Sequence, residues 1–279
     1  MKINTQHTIG FGVLLLLSHW IFAQKSKGNL FIIGGGKRPD ALMQQLLETA
    51  NLQPQDYIVV LPMASQEPDS AFYYLAKQFT SLTNYPIANL NFDAAQAKNR
   101  VWIDSLLRAK LIFISGGDQS RFMKVVGKTP LYDALHKAYR QGATIAGTSA
   151  GAAVMCRYMI TGNQLMDTVY RETFDKLRHS NLETAEGLGL VQELIIDQHF
   201  IKRSRYNRLL SAVVDFRRLT SVGIDEGTAI IVSGNRATVA GESAVVVARK
   251  PKGITKNTGN QISCRKKGYA TGFNTRAVV

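Results

Sequence analysis

The stretch that decides the fold is Ala143-Thr-Ile-Ala-Gly-Thr-Ser-Ala-Gly-Ala-Ala-Val154. Its first five residues form a short apolar run that is typical of a buried strand and ends at Gly147. The alanine-rich continuation predicts a helix over residues 150–158. A strand, a tight turn and the start of a helix therefore follow one another, and Ser149 lies in the turn.

This turn fits a pattern that exposes a nucleophile. Gly147-Thr148-Ser149-Ala150-Gly151 matches G-x-S-x-G, the nucleophile elbow, in which a strained turn lifts a serine hydroxyl clear of the sheet. Backbone N–H groups at the start of the following helix, beginning with Ala150, would face a carbonyl under attack. About 0.1 matches are expected by chance in a chain of this composition. A second interpretation therefore stays open, in which Ser149 only caps the helix.

Outward from the turn, short β-rich runs alternate with segments whose apolar residues recur at helical spacing. The candidate strands are residues 30–33, 57–61, 87–91, 111–115 and 143–147. The candidate helices between them are residues 38–50, 68–82, 95–109 and 130–141. This alternation predicts an α/β fold with a parallel sheet covered by helices on both faces.

Three glycine-bearing loops follow candidate strands, at the carboxyl ends where open α/β sheets bind ligands. One is the turn at Ser149. Another, Gly34-Gly35-Gly36-Lys37, loosely resembles a phosphate loop, but neither G-x-G-x-x-G nor G-x-x-x-x-G-K-[ST] is satisfied. The third is Gly116-Gly117-Asp118-Gln119, whose glycines fit better as a second source of oxyanion-hole N–H groups. Asp118 and Gln119 would then face the same pocket.

A nucleophilic serine needs a base, and the chain has five histidines. Four of them lie in the N-terminal apolar segment, in a helical pattern or in a polar stretch: His7, His19, His136 and His179. His199 follows the apolar run Leu194-Ile195-Ile196, so we place it at the carboxyl end of a strand, on the rim that carries Ser149. In Gly223-Ile224-Asp225-Glu226, two acids precede a buried strand, where they can orient an imidazole or simply form a turn.

Residues 200–210 predict a helix with three arginines, Arg203, Arg205 and Arg208. The spacing places Arg203 and Arg208 within reach of the His199 end and turns Arg205 elsewhere. Guanidinium groups beside a catalytic pocket suit substrates that bear carboxylates. A solvated basic face is the alternative interpretation.

Residues 1–23 are typical of a secretory signal peptide, with Lys2 ahead of an apolar segment and an acceptable cleavage point after Ala23. This predicts export to the periplasm or the extracellular space and a mature chain from Gln24. An uncleaved N-terminal anchor is the alternative. With 45% hydrophobic residues, the mature chain can bury a full core without a disulfide or a metal. A buried, inert thiol is expected at Cys156, and a disulfide to Cys264 is left open.

The net charge of +14 invites a nucleic-acid partner, but its distribution argues against one. Residues 1–28 carry three lysines and no acid, and residues 249–279 carry eight lysines and arginines and no acid. The body between them holds only the remaining +3 and has no basic patch interleaved with aromatic residues. We expect no nucleic-acid partner, and we expect the basic tail of residues 249–279 to be poorly ordered.

Four motifs together resemble a known family, the cyanophycinases. They are Gly116-Gly117-Asp118-Gln119, the stretch from Gly147 to Ala152, Asp197-Gln198-His199-Phe200 with its arginines, and Gly223-Ile224-Asp225-Glu226, in this order. The resemblance covers residues 29–248. Cyanophycinases belong to the serine peptidase family that also contains aspartyl dipeptidase (peptidase E). The implied fold is flavodoxin-like and doubly wound, a three-layer α/β/α arrangement related to class I glutamine amidotransferases.

The resemblance implies a specific reaction. Cyanophycin is a poly-aspartate with arginine on each β-carboxyl, and the family cleaves it at β-aspartyl peptide bonds to β-Asp-Arg dipeptides. By this resemblance Ser149 is the nucleophile, His199 the base and Glu226 the residue that orients it, with oxyanion-hole N–H groups from Gly117 and Ala150. The positions that match the family's substrate pocket are Gln119, Asp197, Gln198, Arg203, Arg205 and Arg208.

The resemblance further implies a peptidase domain over residues 24–248, a homodimer and a reaction through an acyl-enzyme, without a cofactor or metal. No membrane contact is expected once the signal peptide is removed. Asp167 is a rival to Glu226 as the third member of the triad. Two other functions stay open: an exported dipeptidase for other aspartyl peptides, and a non-catalytic binding protein on the same fold.

Overall fold

The computed structural model describes residues 28–166 and 180–249, and three short strands in the C-terminal segment. The predicted signal peptide of residues 1–23 lies outside the described residues, so its removal and the export of the chain stay predictions. Within the described part, no helix is both long and apolar enough to cross a bilayer.

The described strands are β1 (Asn29–Ile33), β2 (Ile58–Leu61), β3 (Ile87–Asn89), β4 (Leu111–Ile114), β5 (Thr144–Thr148), β6 (Tyr158–Gln164), β7 (Leu182–Glu186), β8 (Leu194–Gln198), β9 (Thr220–Ile224), β10 (Thr228–Ser233), β11 (Arg236–Gly241), β12 (Val245–Arg249), β13 (Ile254–Lys256), β14 (Ile262–Cys264) and β15 (Asn274–Val278). The described helices are α1 (Asp40–Ala50), α2 (Pro68–Leu82), α3 (Arg100–Arg108), α4 (Gln119–Val126), α5 (Pro130–Arg140), α6 (Ala150–Ala153) and α7 (Tyr206–Asp215), with a 3-10 turn at Gln96–Lys98.

A seven-stranded sheet forms the centre of the molecule, in the order β11-β10-β1-β5-β4-β2-β3. The five strands from β1 to β3 in this order are parallel, whereas β10 and β11 are antiparallel additions at one edge. Ile33 of β1 lies beside Thr148 of β5, and Ser149 N donates to Ile33 O at 3.1 Å. The loop that follows β1 therefore lies next to Ser149.

Helices cover both faces of this sheet because the side chains of its strands alternate between two buried clusters. Leu30 and Ile32 join one cluster with side chains of α3, α4, α5 and α6. Phe31 and Ile33 join the other, with side chains of α1 and α2. The mostly parallel sheet and the three-layer α/β/α arrangement confirm the predicted fold class.

A smaller sheet, in the order β15-β12-β9-β8, lies against the loop after β1. β8 and β9 are parallel within it, and the segments after them carry His199 and Glu226. At Gly34 the two parts approach so tightly that a Cβ would overlap the backbone oxygens of Ile224 and Asp225. A side chain at this position would push the second sheet away from the central one.

Two helices differ from their predictions. The helix predicted over residues 150–158 ends at Ala153, because the chain then turns to make a parallel bridge between Cys156 and Val191. The helix predicted over residues 200–210 begins only at Tyr206. Its first half is a series of turns, since Ser204 has a φ of 47°, which a right-handed helix does not accommodate.

The helix α4, which is not among the helices predicted from the sequence, begins directly after Gly116-Gly117-Asp118. The carboxylate of Asp118 caps this helix by accepting from the N–H groups of Ser120 at 2.7 Å and Arg121 at 3.1 Å. Asp118 Oδ1 is therefore engaged as the cap of α4, and the predicted position of Asp118 facing the pocket stays a prediction.

The basic C-terminal segment contains strands in this structure. β13 and β14 pair with each other, and β15 pairs with β12. The expected poor order of residues 249–279 and the domain limits of residues 24–248 stay predictions.

Candidate active site

Ser149 occupies the turn between β5 and α6 with backbone angles φ 53° and ψ −108°. Side chains rarely adopt this conformation, so the surrounding packing must hold it. A Cβ on Gly147 would overlap the carbonyl of Gly151, and a Cβ on Gly151 would overlap that of Ile114. The small residues of the motif therefore let strand and helix close around a strained, half-buried serine.

Ser149, His199 and Glu226 form a chain of hydrogen bonds. Ser149 Oγ lies 2.7 Å from His199 Nε2, and His199 Nδ1 lies 2.6 Å from Glu226 Oε1. These contacts assign the neutral tautomer in which Nδ1–H donates to the carboxylate and Nε2 accepts from the hydroxyl. The arrangement can take a proton from Ser149 and return it later.

The glycine loop after β1 supports this His–Glu pair, a role that the sequence analysis did not assign to it. The N–H of His199 donates to Gly34 O at 2.7 Å. A Cβ on Gly35 would overlap the imidazole ring, and a Cβ on Gly36 would lie 2.6 Å from Glu226 Oε2. The side chains of His199 and Glu226 occupy the space that side chains at Gly35 and Gly36 would need. The three glycines are the sequence signal for this close packing.

Burial lowers the pKa of His199 below its ordinary value of 6.5. The hydrogen bond with Glu226 opposes this shift, whereas the positive charges of Arg203 and Arg205 add to it. Because the imidazolium is disfavoured, His199 is neutral at neutral pH and ready to accept a proton.

This lowered pKa predicts the acid limb of the pH profile. Activity needs neutral His199, so kcat/KM should fall to half only at a pH below 6.5. Arg203→Gln removes a charge that disfavours the imidazolium, so the midpoint should move to higher pH. The measurement is kcat/KM against pH for the wild type, Arg203→Gln and the matched control Arg236→Gln on β11. A wild-type midpoint above 6.5, or equal midpoints in all three proteins, would contradict this prediction.

Two backbone N–H groups beside the serine, those of Gly117 and Ala150, donate no hydrogen bond within the described chain. Ala150 follows Ser149 directly at the start of α6. Gly117 has a φ of 137°, and the preceding Gly116 passes so close that a Cβ on it would lie 3.4 Å from Ser149 Cβ. Both N–H groups are therefore available to stabilise an oxyanion.

Gln119 ties α4 to the hairpin of β6 and β7. Its side chain is buried, and Nε2 donates to the carbonyl of Ile160 at 2.9 Å and to that of Thr161 at 2.5 Å. Both contacts use the amide nitrogen, so only the amide oxygen is left for the substrate contact that the family resemblance implies.

Asp197 and Arg208 form an ion pair behind the site. Arg208 Nε donates to Asp197 Oδ2 at 3.0 Å, and Arg208 Nη2 donates to Asp197 Oδ1. The side chain of Asp197 is 0% exposed and that of Arg208 is 5% exposed. These two residues, both predicted to contact the substrate, bind each other in this structure, and their contact with a substrate stays a prediction.

Arg205 lies at the His199 end of the segment, contrary to the helical spacing predicted for it. Its Nη1 donates to Gln198 O at 2.7 Å and to the Gln198 side chain, and it lies 3.5 Å from Asp197 Oδ1. The reason is that the helix starts only at Tyr206, so the arginines before it follow the turns. Arg203 is exposed beside His199, and its N–H donates to His199 O at 3.0 Å.

Other sequence candidates have separate outcomes. Asp167 and His179 lie outside the described residues, and so does the side chain of Cys264. Burial raises the pKa of the Cys156 thiol to about 12, which makes it inert. His136 Nε2 lies 2.7 Å from Leu188 O. Among the described residues, no group of three His, Cys, Asp or Glu side chains could hold a metal ion.

The three-layer fold and the serine–histidine–glutamate geometry together define the class of serine-type peptidases. Residues 30–240 match Peptidase family S51, and the chain belongs to this family. The chain is 36% identical to the cyanophycinase of Trichormus variabilis over 177 residues. This aligned region covers 63% of this chain and 57% of that protein. It is also 32% identical to the cyanophycinase of Geminocystis herdmanii over 193 residues, an aligned region that covers 68% of each chain.

A solved structure shares the fold. The peptidase from an acI-B1 Actinobacterium superposes with a TM-score of 0.60 at 22% identity, over 88% of this chain and 97% of that one. The matched part spans a little more than half, 57%, of the length of the Trichormus relative. The resemblance to the cyanophycinases that the motifs indicated is thus confirmed at the level of the family.

Proposed function

We propose that this protein is a secreted serine exopeptidase that hydrolyses cyanophycin. The observation that carries the proposal is the hydrogen-bonded chain from Ser149 through His199 to Glu226, on an elbow beside two backbone N–H groups that donate to no described residue. Relatives named cyanophycinase, 36% and 32% identical, support the substrate. The chain order Ser, His, Glu also differs from that of α/β-hydrolase esterases.

In the first step Ser149 Oγ attacks a peptide carbonyl carbon while its proton passes to His199 Nε2. The electron pair of the carbonyl moves to its oxygen, which the N–H groups of Gly117 and Ala150 stabilise. When the tetrahedral intermediate collapses, the C–N bond breaks and the imidazolium gives its proton to the departing amine. Glu226 stabilises the imidazolium and holds the ring in the required tautomer.

In the second step water hydrolyses the acyl-enzyme. His199 takes a proton from the water as its oxygen attacks the ester carbonyl, and the same N–H groups hold the new oxyanion. Collapse breaks the ester bond, and His199 returns its proton to Ser149 Oγ. The net reaction consumes one water and releases an amine and a carboxylic acid.

The composition of the product defines which bond is cut. A released β-Asp-Arg dipeptide still carries arginine on its β-carboxyl, so the amide that links aspartate to arginine must survive. The bond that breaks is therefore the backbone amide next to a β-arginylated aspartate, and not the β-aspartyl bond to arginine; this corrects the bond expected from the sequence. Arg203, exposed beside His199, supplies a cation for the carboxylates of such a substrate.

Export and assembly belong to the same proposal. The signal-peptide pattern of residues 1–23 supports a periplasmic or extracellular enzyme. A polymer too large to cross a membrane would be met there. The family resemblance supports a homodimer.

The proposal is tested by incubating the mature protein, from Gln24, with purified cyanophycin and identifying soluble products by mass spectrometry. We expect β-Asp-Arg dipeptide from the wild type and none from Ser149→Ala. Parallel assays with α-aspartyl dipeptides measure the alternative specificity within the family. Turnover of the α-aspartyl peptides alone would overturn the substrate and keep the reaction class.

A fluorophosphonate probe separates the remaining outcomes. An active Ser149 should be labelled, and Ser149→Ala should not. Cyanophycin left intact by a labelled protein would remove cyanophycin as the substrate. A protein that is neither labelled nor active would favour the non-catalytic binding protein instead.

A further inference from the structure

The hairpin of β6 and β7 is hydrogen-bonded to Gln119, one of the residues that match the family's substrate pocket. Met159 of β6 is buried in the cluster that includes Ala150 and Ala153 of α6. Thr161 follows Ile160, where the pairing of β6 with β7 shifts register. Gln119 Nε2 donates to Thr161 O at 2.5 Å. Thr161 is thus held at the end of the loop that passes Ser149.

Glu183 faces Thr161 across this hairpin. Thr161 Oγ1 donates to the Glu183 carboxylate, and Asn163 Nδ2 donates to Glu183 Oε2 at 2.9 Å. The Thr161 hydrogen bond, with that of Asn163, holds the pKa of Glu183 below its ordinary value. Both hydrogen bonds go to one oxygen, so the ionised carboxylate is oriented, and none of the described residues donates to Glu183 Oε1.

Three other acids close to Ser149 in the described part of the chain already accept hydrogen bonds from neighbouring residues. Asp197 is fully buried against Arg208, and Glu226 accepts from His199. Asp225 accepts from the N–H groups of Ile201 and Lys202 and from the hydroxyl of Ser243. A substrate that carries a guanidinium group needs an ionised acid with free lone pairs, and Glu183 meets that requirement.

We propose that the Glu183 carboxylate binds the guanidinium group of the arginine carried by the substrate, and so selects for it. This inference rests on the proposed function. The guanidinium carbon of a β-linked arginine lies ten bonds from the backbone carbonyl carbon, about 12 Å when extended. An arginine side chain of that length can reach a carboxylate, such as that of Glu183, that is separated from Ser149 by the loop of residues 116–119.

The test compares two substrates with two proteins. β-Asp-Arg oligomers are set against β-Asp-citrulline oligomers, in which a neutral ureido group replaces the guanidinium without a change of shape. In the full-length wild type, kcat/KM should favour arginine by about tenfold, the low end for a charge-assisted hydrogen bond. In Glu183→Gln the preference should vanish, mainly through KM. The matched control is Glu186→Gln, which removes the same charge from the exposed end of β7 and should keep the preference.

A binding measurement separates failure of this inference from failure of the proposed function. Calorimetric titration of β-Asp-Arg dipeptide into Ser149→Ala should give a Kd about tenfold lower than into Ser149→Ala/Glu183→Gln. Equal Kd values, or no binding to either protein, would overturn the role of Glu183. The third outcome is that binding depends on Glu183 but the wild type hydrolyses neither oligomer. That result would overturn the proposed hydrolysis and support the recognition of arginine by Glu183.

Discussion

Replacing Ser149 with alanine is expected to lower kcat by about 10⁶-fold, the order of loss that follows removal of a triad nucleophile. In the proposed mechanism the Ser149 hydroxyl is the group that attacks, and no other group within the described residues lies 2.7 Å from His199 Nε2 in its place. The measurement is the rate of dipeptide release from cyanophycin under saturating substrate. Residual activity within a hundredfold of the wild type would show that another residue is the nucleophile.

The same position allows a control on folding. Alanine has the same steric restrictions as serine at φ 53°, so Ser149→Ala should unfold at a temperature close to that of the wild type. Glycine does not, so Ser149→Gly should be inactive and unfold at a higher temperature. Ser120→Ala, an exposed serine of α4, should leave both quantities unchanged. A lower unfolding temperature for Ser149→Gly would show that the turn is not strained.

Much of the central sheet could be predicted from the sequence because its signals are local. Short apolar runs bounded by glycine and polar residues indicate strands that are buried on both faces, and β1 and β4 match those runs to within a residue. The helix predicted over residues 68–82 has the same bounds as α2, because Pro68 marks its first turn.

The mistakes arose where tertiary contacts override local pattern. In residues 150–158 nearly every side chain is apolar or small, so periodicity could not show that α6 ends at Ala153 and that Cys156 pairs with Val191. In residues 200–210 the positive φ of Ser204 breaks a regular pattern. Nothing in the identity of a serine signals that conformation.

The site shows the same division. The serine turn and the strand before His199 are local patterns, whereas the packing of Gly35 on the imidazole joins segments far apart in the chain. The pairing of Asp197 with Arg208 was also beyond reach, because it depends on where α7 begins. Sequence spacing could place a charged residue near the site but could not say which partner would neutralise it.

That pairing makes Arg208→Met the second large expected effect, a loss of roughly 3–5 kcal/mol in the free energy of unfolding. Methionine fills much of the same volume but leaves the carboxylate of Asp197, 0% exposed, without its bidentate partner. Arg205, at 3.5 Å, offers only a longer contact. Urea denaturation of the wild type and the variant measures the difference. The matched control is Arg203→Met, an exposed arginine whose loss should change stability by less than about 0.5 kcal/mol.

A double replacement distinguishes the cost of an orphaned charge from the worth of the pair. Asp197→Leu combined with Arg208→Met removes both charges, so most of the stability lost in Arg208→Met should return. If the double variant is as unstable as the single one, the pair itself holds the fold together. Recovery of stability without recovery of activity would mean that the ion pair is retained to position Gln198 and His199, which directly follow Asp197 at the end of β8.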